Sequence, residues 1–226
     1  MTCDNRPMAL ACTPLLAALL AASVAATTAG EQQPAVTTRL APPVFRVLSW
    51  DPANPGPDIP TERRDRDAFT DVRYRCSAHV RVRAVGETDD GASLHLVVEV
   101  TGVDLTLSLD ETVYLPPSPT DRLRAHEDGH RLIAESLFSG GEARARELAG
   151  PWIGRRLTAD SASAEEAAKD ATKRAARLIG QSWVDAMLAD AARLQDRYDS
   201  LTDHGLYESP TAQEAVAQVL QDATRR

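Results

Sequence analysis

The sequence predicts an α+β fold in which an antiparallel β-sheet is followed by a helical part with a long helix near its end. Two segments between residues 72 and 109 alternate apolar and polar side chains, which is typical of half-buried strands. After residue 163 apolar residues recur three and four positions apart, which indicates an amphipathic helix. A chain of 226 residues, 43% of them apolar, has the size and composition of one globular domain.

The first 29 residues have the pattern of a secretory signal peptide. Residues 8–26 carry no charge, and small residues and a polar stretch with Pro34 follow them. We therefore divide the chain into a signal peptide (1–29), a Pro-rich lead-in (30–66) and a folded domain (67–226). We expect a secreted or periplasmic protein with no stable membrane span after cleavage, and the alternative is a retained membrane anchor. Cleavage would leave Cys76 as the single cysteine, which excludes an internal disulfide.

Within the lead-in only residues 44–50 predict a strand, and its many prolines predict an otherwise extended, weakly ordered segment. Residues 72–84 predict the first long strand, and the turn at 86–91 leads into strands at 94–100 and 103–109. Gly102 marks an expected bulge where the buried face changes. The arginines of the first long strand predict a solvated face paired with Glu99 and Asp104, and the alternative is a face that binds acidic ligands.

The helices begin after residue 117. Residues 118–121 supply capping residues for a helix that runs to about residue 138 and stops at Gly140. A second helix is predicted from 163 to 202, because a capping pattern opens it and Gly205 follows its end. A short final helix follows Pro210, and its residues Val216, Val219 and Leu220 are expected to face inward.

The first helix contains the sequence His126-Glu127-Asp128-Gly129-His130. Histidines four apart on a helix lie on the same side, so His126 and His130 can bind one metal ion. Glu127 lies beside that ion, where it can take a proton from water and return it to a leaving amine. This H-E-x-x-H pattern is the signature of zinc metalloproteases. Gly129 lowers helix stability, and a close approach of another backbone segment would explain it.

A catalytic zinc site needs a third protein ligand and one open position. The extended metzincin pattern does not fit, since Ile133 and Ser136 stand where that pattern has glycine and histidine. Glu135 and Glu142 are candidate ligands, although each follows the motif closely. The only histidine after the motif is His204. These residues stay open as alternatives on spacing alone.

A second motif accompanies the first, with Tyr198, Asp199, Thr202, His204, Gly205 and Gln213 in the order Tyr-Asp-x-x-Thr-x-His-Gly and a later glutamine. Together the two motifs resemble a family of secreted bacterial proteins, a domain-of-unknown-function family inferred to be zinc-dependent proteases. The resemblance covers roughly residues 68–218. It departs in Arg131-Leu132, where the family has an aromatic residue, and in lacking a tryptophan just before the metal helix.

The resemblance implies a zincin-like helical part in which Zn²⁺ is held by His126, His130 and His204, with Asp203 as the alternative third ligand. Glu127 would be the general base, and a nearby phenol, Tyr198 or Tyr207, would donate to the oxyanion of the tetrahedral intermediate. Residues 112–115 are expected to form an edge strand that receives a peptide by strand addition.

The sequence therefore predicts an exported zinc-dependent metallopeptidase whose substrate is a peptide or protein of the cell envelope or exterior. The alternative is a non-enzymatic exported module with a structural zinc site, closed by a fourth ligand from Asp203, Asp199 or Glu135. A net charge of −8 argues against a nucleic-acid partner, which would require a concentrated basic patch. The sequence makes no prediction of oligomeric state.

Overall fold

A strand of 22 residues, β4 (Leu94–Leu115), forms the centre of the sheet. The computed structural model describes residues 35–51, 53, 59, 66–89 and 93–225, so the predicted signal peptide lies outside the described residues. On one edge β4 pairs with β3 (Phe69–Asp89) along almost its whole length. Because a strand has only two edges, the three shorter strands follow one another along the other edge: β5 (Arg156–Ser161), β1 (Val36–Leu40) and β2 (Val44–Ser49).

The predicted antiparallel sheet is wrong, although the fold is α+β. Both β1 and β2 pair in parallel with β4, whereas β3 and β5 are antiparallel to it, so the sheet is mixed. Alternation reveals a strand and its buried face, but the direction of pairing depends on a partner far away in the sequence. The lead-in also contributes two strands to this sheet, and the predicted strand at 44–50 is confirmed as β2. β5, which the sequence did not reveal, lies between two helices.

The separate strands predicted at 94–100 and 103–109 are wrong, because both segments belong to the single strand β4, which continues through the bulge. The buried faces are those that the alternation predicts. The inward row of β4 runs through Val103, Leu105, Leu107 and Leu109, all at most 3% exposed. The predicted bulge is confirmed, because Arg81 pairs with Gly102 and the next residue, Val82, pairs with Val100. On the outer face Arg83 contacts Glu99 at 2.8 Å and Arg81 contacts Asp104 at 3.1 Å, which confirms the paired, solvated face.

Residues 112–115 are not an edge strand. They pair with β2 on one side and with β3 on the other, so the outer position belongs to β2. The expected strand addition at 112–115 is therefore wrong, since its backbone groups are already hydrogen-bonded on both edges.

The described residues also form four α-helices: α1 (Asp121–Ser139), α2 (Gly141–Ala149), α3 (Ala164–Thr202) and α4 (Ala212–Thr224). The side chains of Thr120, Ser163 and Thr211 cap the N-termini of α1, α3 and α4. The predicted helices are thus confirmed, whereas the nine-residue α2 and the 3₁₀ turn Gly150–Trp152 after it were not predicted. None of the helices in the described part of the chain is long and apolar enough to span a membrane.

Helix α3 connects the sheet to the rest of the molecule. Its first half packs on the sheet, where Ile179 and Trp183 share a core cluster with Leu107 and Leu109. Its second half packs against α1 and α4 in a separate cluster formed by Ile133, Leu194, Tyr198, Ala215, Val216 and Val219. Burial of this apolar area contributes roughly 25 cal/mol per Å² to stability. Packing in these two clusters therefore determines the position of α3 relative to α1, the helix that carries the two histidines.

Candidate metal centre

The two histidines of α1 and one aspartate of α3 form a compact group. The Nε2 atoms of His126 and His130 lie 3.1 Å apart. Oδ1 of Asp199 lies 3.4 Å from Nε2 of His126 and 3.1 Å from Nε2 of His130. Four ligands at the usual zinc distances are separated by about 3.3 Å when their arrangement is tetrahedral. These three atoms therefore have the spacing of one face of a tetrahedral site, and the group could hold a metal ion.

The chemistry of the three atoms also fits a cation. Their side chains are only 6%, 14% and 18% exposed for His126, His130 and Asp199, so water screens them little. Oδ1 of Asp199 is fully buried and accepts no well-formed hydrogen bond from the described residues. Burial alone would raise the pKa of Asp199, but its contacts with His126 and His130 lower the pKa well below its ordinary value. A buried carboxylate oxygen that faces two imidazole nitrogens is a favourable position for a shared proton or for a metal ion.

The ring of Tyr198 packs against one face of the His126 ring. The two rings stack with their centroids 5.1 Å apart and their planes 13° apart, and the phenol donates to the carbonyl oxygen of His126 at 3.1 Å. A Cβ at Gly129 would overlap the phenol oxygen of Tyr198. The expected close approach at Gly129 is therefore made by a side chain of α3 and not by a backbone segment.

The second nitrogen of each histidine also has a partner on α3. Nδ1 of His130 contacts Oε1 of Gln195, and Nδ1 of His126 lies 3.3 Å from Oγ1 of Thr202. Sequence reasoning missed Gln195 and treated Asp199 only as a fourth ligand of a structural site. The signal was the spacing of Gln195, Asp199 and Thr202, which are four and three residues apart and so share one face of α3.

The side chain of Glu127 contacts the sheet. Its residue is 4% exposed, and the hydroxyl of Thr70 on β3 donates to Oε2 at 2.8 Å. This hydrogen bond holds the carboxylate in one orientation. Thr70 therefore holds the Glu127 side chain next in sequence to His126, and its role as general base stays a prediction.

His204 lies at the end of α3, on a turn with left-handed backbone. Asp203, His204 and Gly205 have φ values of 47°, 53° and 83°, and such values favour glycine. Nδ1 of His204 lies 3.6 Å from Oδ2 of Asp199, and the side chain is 66% exposed. The prediction of His204 as third ligand stays a prediction, because the atom that converges with the two histidines belongs to Asp199. Asp203, the other alternative, is the C-cap residue of α3.

The remaining acidic candidates are engaged elsewhere. Glu135 accepts from Arg131 at 2.6 Å, and Glu142 pairs with Arg146 at 3.4 Å. In each pair the two residues are four positions apart on the surface of one helix. Neither carboxylate belongs to the group formed with the histidines.

A groove of about 510 Å³ opens beside His126, between the start of α1 and the start of α4. Tyr207 lines this groove and is 54% exposed, whereas Tyr198 is completely buried and its hydroxyl already donates to His126. Burial, together with the charges of Glu127 and Asp199, also raises the pKa of Tyr198 above its ordinary value. The geometry thus favours Tyr207 over Tyr198 as a donor to a bound substrate.

Comparison with known proteins adds no relative: no protein-family model matches the chain, and no match was found among curated proteins or solved structures. The likeness to a secreted zinc-protease family consequently stays a prediction that rests on the two sequence motifs. What the structure contributes independently is the group formed by His126, His130 and Asp199, which could hold a metal ion.

Proposed function

We propose that this protein is an exported zinc-dependent metallopeptidase. The observation that carries the proposal is the convergence of His126, His130 and Asp199, with 3.1–3.4 Å between their metal-binding atoms, beside the held carboxylate of Glu127. Two imidazole nitrogens and one carboxylate oxygen form the ligand type of several catalytic zinc sites, which keep a fourth position open. Asp199 takes the place of third ligand in this proposal.

The proposed chemistry assigns a role to each residue around that site. His126, His130 and Asp199 would hold the zinc ion, which would act as a Lewis acid and would make a water molecule at the open fourth position more acidic. Glu127 accepts a proton from the attacking water and returns it to the leaving amine. Thr70 orients the Glu127 carboxylate through its hydrogen bond, and Tyr207 is the phenol that can reach a substrate in the groove beside His126.

We further propose a peptide or protein substrate that the enzyme meets outside the cytoplasm. The groove beside His126 combines apolar atoms with the charged side chains of Asp121, Arg122 and Glu208, which suits a peptide better than a wholly apolar ligand. Export rests on the signal-peptide pattern of residues 1–29.

A structural zinc site is the second candidate function, and His204 is the observation that favours it. Its Nδ1 atom lies 3.6 Å from Asp199, so a side-chain rotation would bring a fourth ligand near the metal. Four protein ligands close a zinc site and leave no position for water. The buried Glu127 counts against this alternative, because a closed structural site has no use for a carboxylate next to its first ligand.

The decisive experiment compares the mature chain with Glu127→Gln. Elemental analysis is expected to find about one zinc per chain in both proteins, because Gln has nearly the shape of Glu. Cleavage of a mixed peptide library, read by mass spectrometry, is expected to fall by roughly 10²- to 10⁴-fold in the variant. The control is Glu135→Gln on the same helix. The Glu135 carboxylate pairs with Arg131, so this substitution should not affect cleavage. Zinc without a difference in cleavage would favour the structural site, and no bound metal would overturn both candidates.

A further inference from the structure

The amide of Gln195 makes two contacts with the same histidine. Its Nε2 donates to the carbonyl oxygen of His130 at 2.9 Å, and its Oε1 contacts Nδ1 of the His130 ring. Gln195 stands four residues before Asp199, so the two side chains approach His130 from adjacent turns of α3. The motif of the second half of the chain does not include Gln195.

Only one orientation of this amide satisfies both contacts. A backbone carbonyl can only accept a hydrogen bond, so the amide atom that faces it must be the NH₂ group. The amide oxygen consequently faces Nδ1 of His130, and this oxygen can also only accept. The contact is a hydrogen bond only when Nδ1 carries the proton.

We infer that Gln195 is a positioning residue that holds the proton of His130 on Nδ1 and thereby leaves Nε2 free for a metal ion. Nε2 is the nitrogen that lies 3.1 Å from both Asp199 and His126. Outer hydrogen bonds of this kind fix the tautomer and ring orientation of metal-binding histidines. Thr202 acts in the same way on His126, because its hydroxyl donates to the carbonyl oxygen of Tyr198 at 3.0 Å and presents a lone pair to Nδ1.

The inference rests on the proposed metal site, and it concerns affinity for zinc, not cleavage. Removal of such an outer partner typically weakens metal binding by roughly 10- to 100-fold. The donor half of the amide, which binds the backbone, has no direct influence on the ring nitrogen. The acceptor half is therefore the part whose loss should be measurable.

The test uses two substitutions and a matched control in the full mature chain. Gln195→Leu removes the acceptor, and Gln195→Glu keeps an acceptor oxygen in nearly the same shape. The control is Gln181→Leu, since Gln181 is an exposed glutamine of the same helix that binds Asp185 at 2.7 Å. Zinc affinity is measured by competition with a chelator, and ring N–H protons are measured by nitrogen-15 NMR of the zinc-bound proteins.

We expect Gln195→Leu to raise the zinc Kd by roughly 10- to 100-fold and to lose the protected Nδ1–H signal of His130. Gln195→Glu should retain both properties, and Gln181→Leu should match the wild type. Equal loss in the Leu and Glu variants, or an unchanged Kd in Gln195→Leu, would overturn the inference. If the wild type binds no zinc, the proposed function is wrong, and the inference about Gln195 is tested without metal. The tautomer of His130 is then read in the metal-free protein at alkaline pH, where a proton on Nε2 would overturn the inference.

Discussion

The phenol of Tyr198 occupies the space that a side chain at residue 129 would fill. Gly129 therefore allows α3 to lie this close to α1. The same phenol stacks on His126 and donates to its backbone carbonyl. Gly129 is thus required for Tyr198 to contact His126 in this way.

Gly129→Ala is expected to destabilise the protein although alanine is the better helix former. The new methyl group would displace Tyr198, and overpacking of this kind costs about 1–3 kcal/mol. Zinc affinity should fall as well, because the ring of His126 loses its support. Chemical denaturation measures the free energy of unfolding, and Gly150→Ala is the control, since a Cβ there meets nothing within 4 Å. A Gly129→Ala protein with wild-type stability and affinity would contradict the role given to Tyr198.

Substitution of Asp199 should weaken zinc retention as much as substitution of His126. Oδ1 of Asp199 is the third converging atom, whereas His204 contacts the other oxygen from an exposed position. We therefore expect Asp199→Ala to lose zinc on dialysis and His204→Ala to retain most of it. His79→Ala is the control, because His79 lies on the outer face of β3 with its side chain 76% exposed. If His204→Ala proves the stronger effect, the ligand set predicted from the motifs is correct and Asp199 is its outer partner.

The two tyrosines near the site should behave differently when each loses its hydroxyl. Tyr198→Phe removes a buried hydrogen bond and is expected to cost about 0.5–1.5 kcal/mol of stability. Tyr207→Phe should leave stability unchanged, because the side chain is 54% exposed, and should lower kcat if the phenol donates to the oxyanion. Melting temperature and peptide cleavage are measured for both. Loss of kcat in Tyr198→Phe at unchanged stability would instead support the oxyanion role that was first predicted for Tyr198.

Glu111 makes the stability of the fold depend on pH. This residue interrupts the apolar inward row of β4, is 1% exposed, and neither of its carboxylate oxygens has a hydrogen-bond partner among the described residues. Burial, followed by the charge of Glu135, raises its pKa from 4.5 to about 7, although Arg131 opposes this. Between these two pH values the folded state keeps a proton that the unfolded state releases. The contribution of Glu111 to stability is therefore expected to fall as pH rises from about 4.5 to about 7.

Glu111→Gln is expected to flatten this part of the stability curve and to make the protein more stable than the wild type above pH 7, by an amount on the order of 3 kcal/mol or less. Denaturation curves between pH 4 and 9 with a chelator present check this without interference from metal binding. Glu99→Gln on the outer face of the same strand is the control, since Glu99 pairs with Arg83. A wild-type curve that runs parallel to the Glu111→Gln curve between pH 5 and 7 would refute the buried, protonated Glu111.

Much of the local structure was determined by the sequence itself. Period-two alternation located β3, the two segments that together form β4, and the bulge at Gly102, and capping residues located α1, α3 and α4 within a few positions. The histidine spacing in α1 placed two imidazoles on one face, since an α-helix turns once in about 3.6 residues. These features depend on residues close together in the chain, and local patterns therefore reveal them.

Tertiary structure alone decided the direction of the sheet pairing and the third member of the metal group. Parallel pairing of β1 and β2 with β4 joins residues more than sixty positions apart, and no local pattern records that partner. Asp199 meets His130 only because α3 packs on the sheet at one end and on α4 at the other. The position at which α3 ends and turns decides whether Asp199 or His204 lies nearer to the two histidines, and the difference is a few ångströms. Spacing in sequence does not determine distances of that size between separate helices, since packing of the whole core sets them.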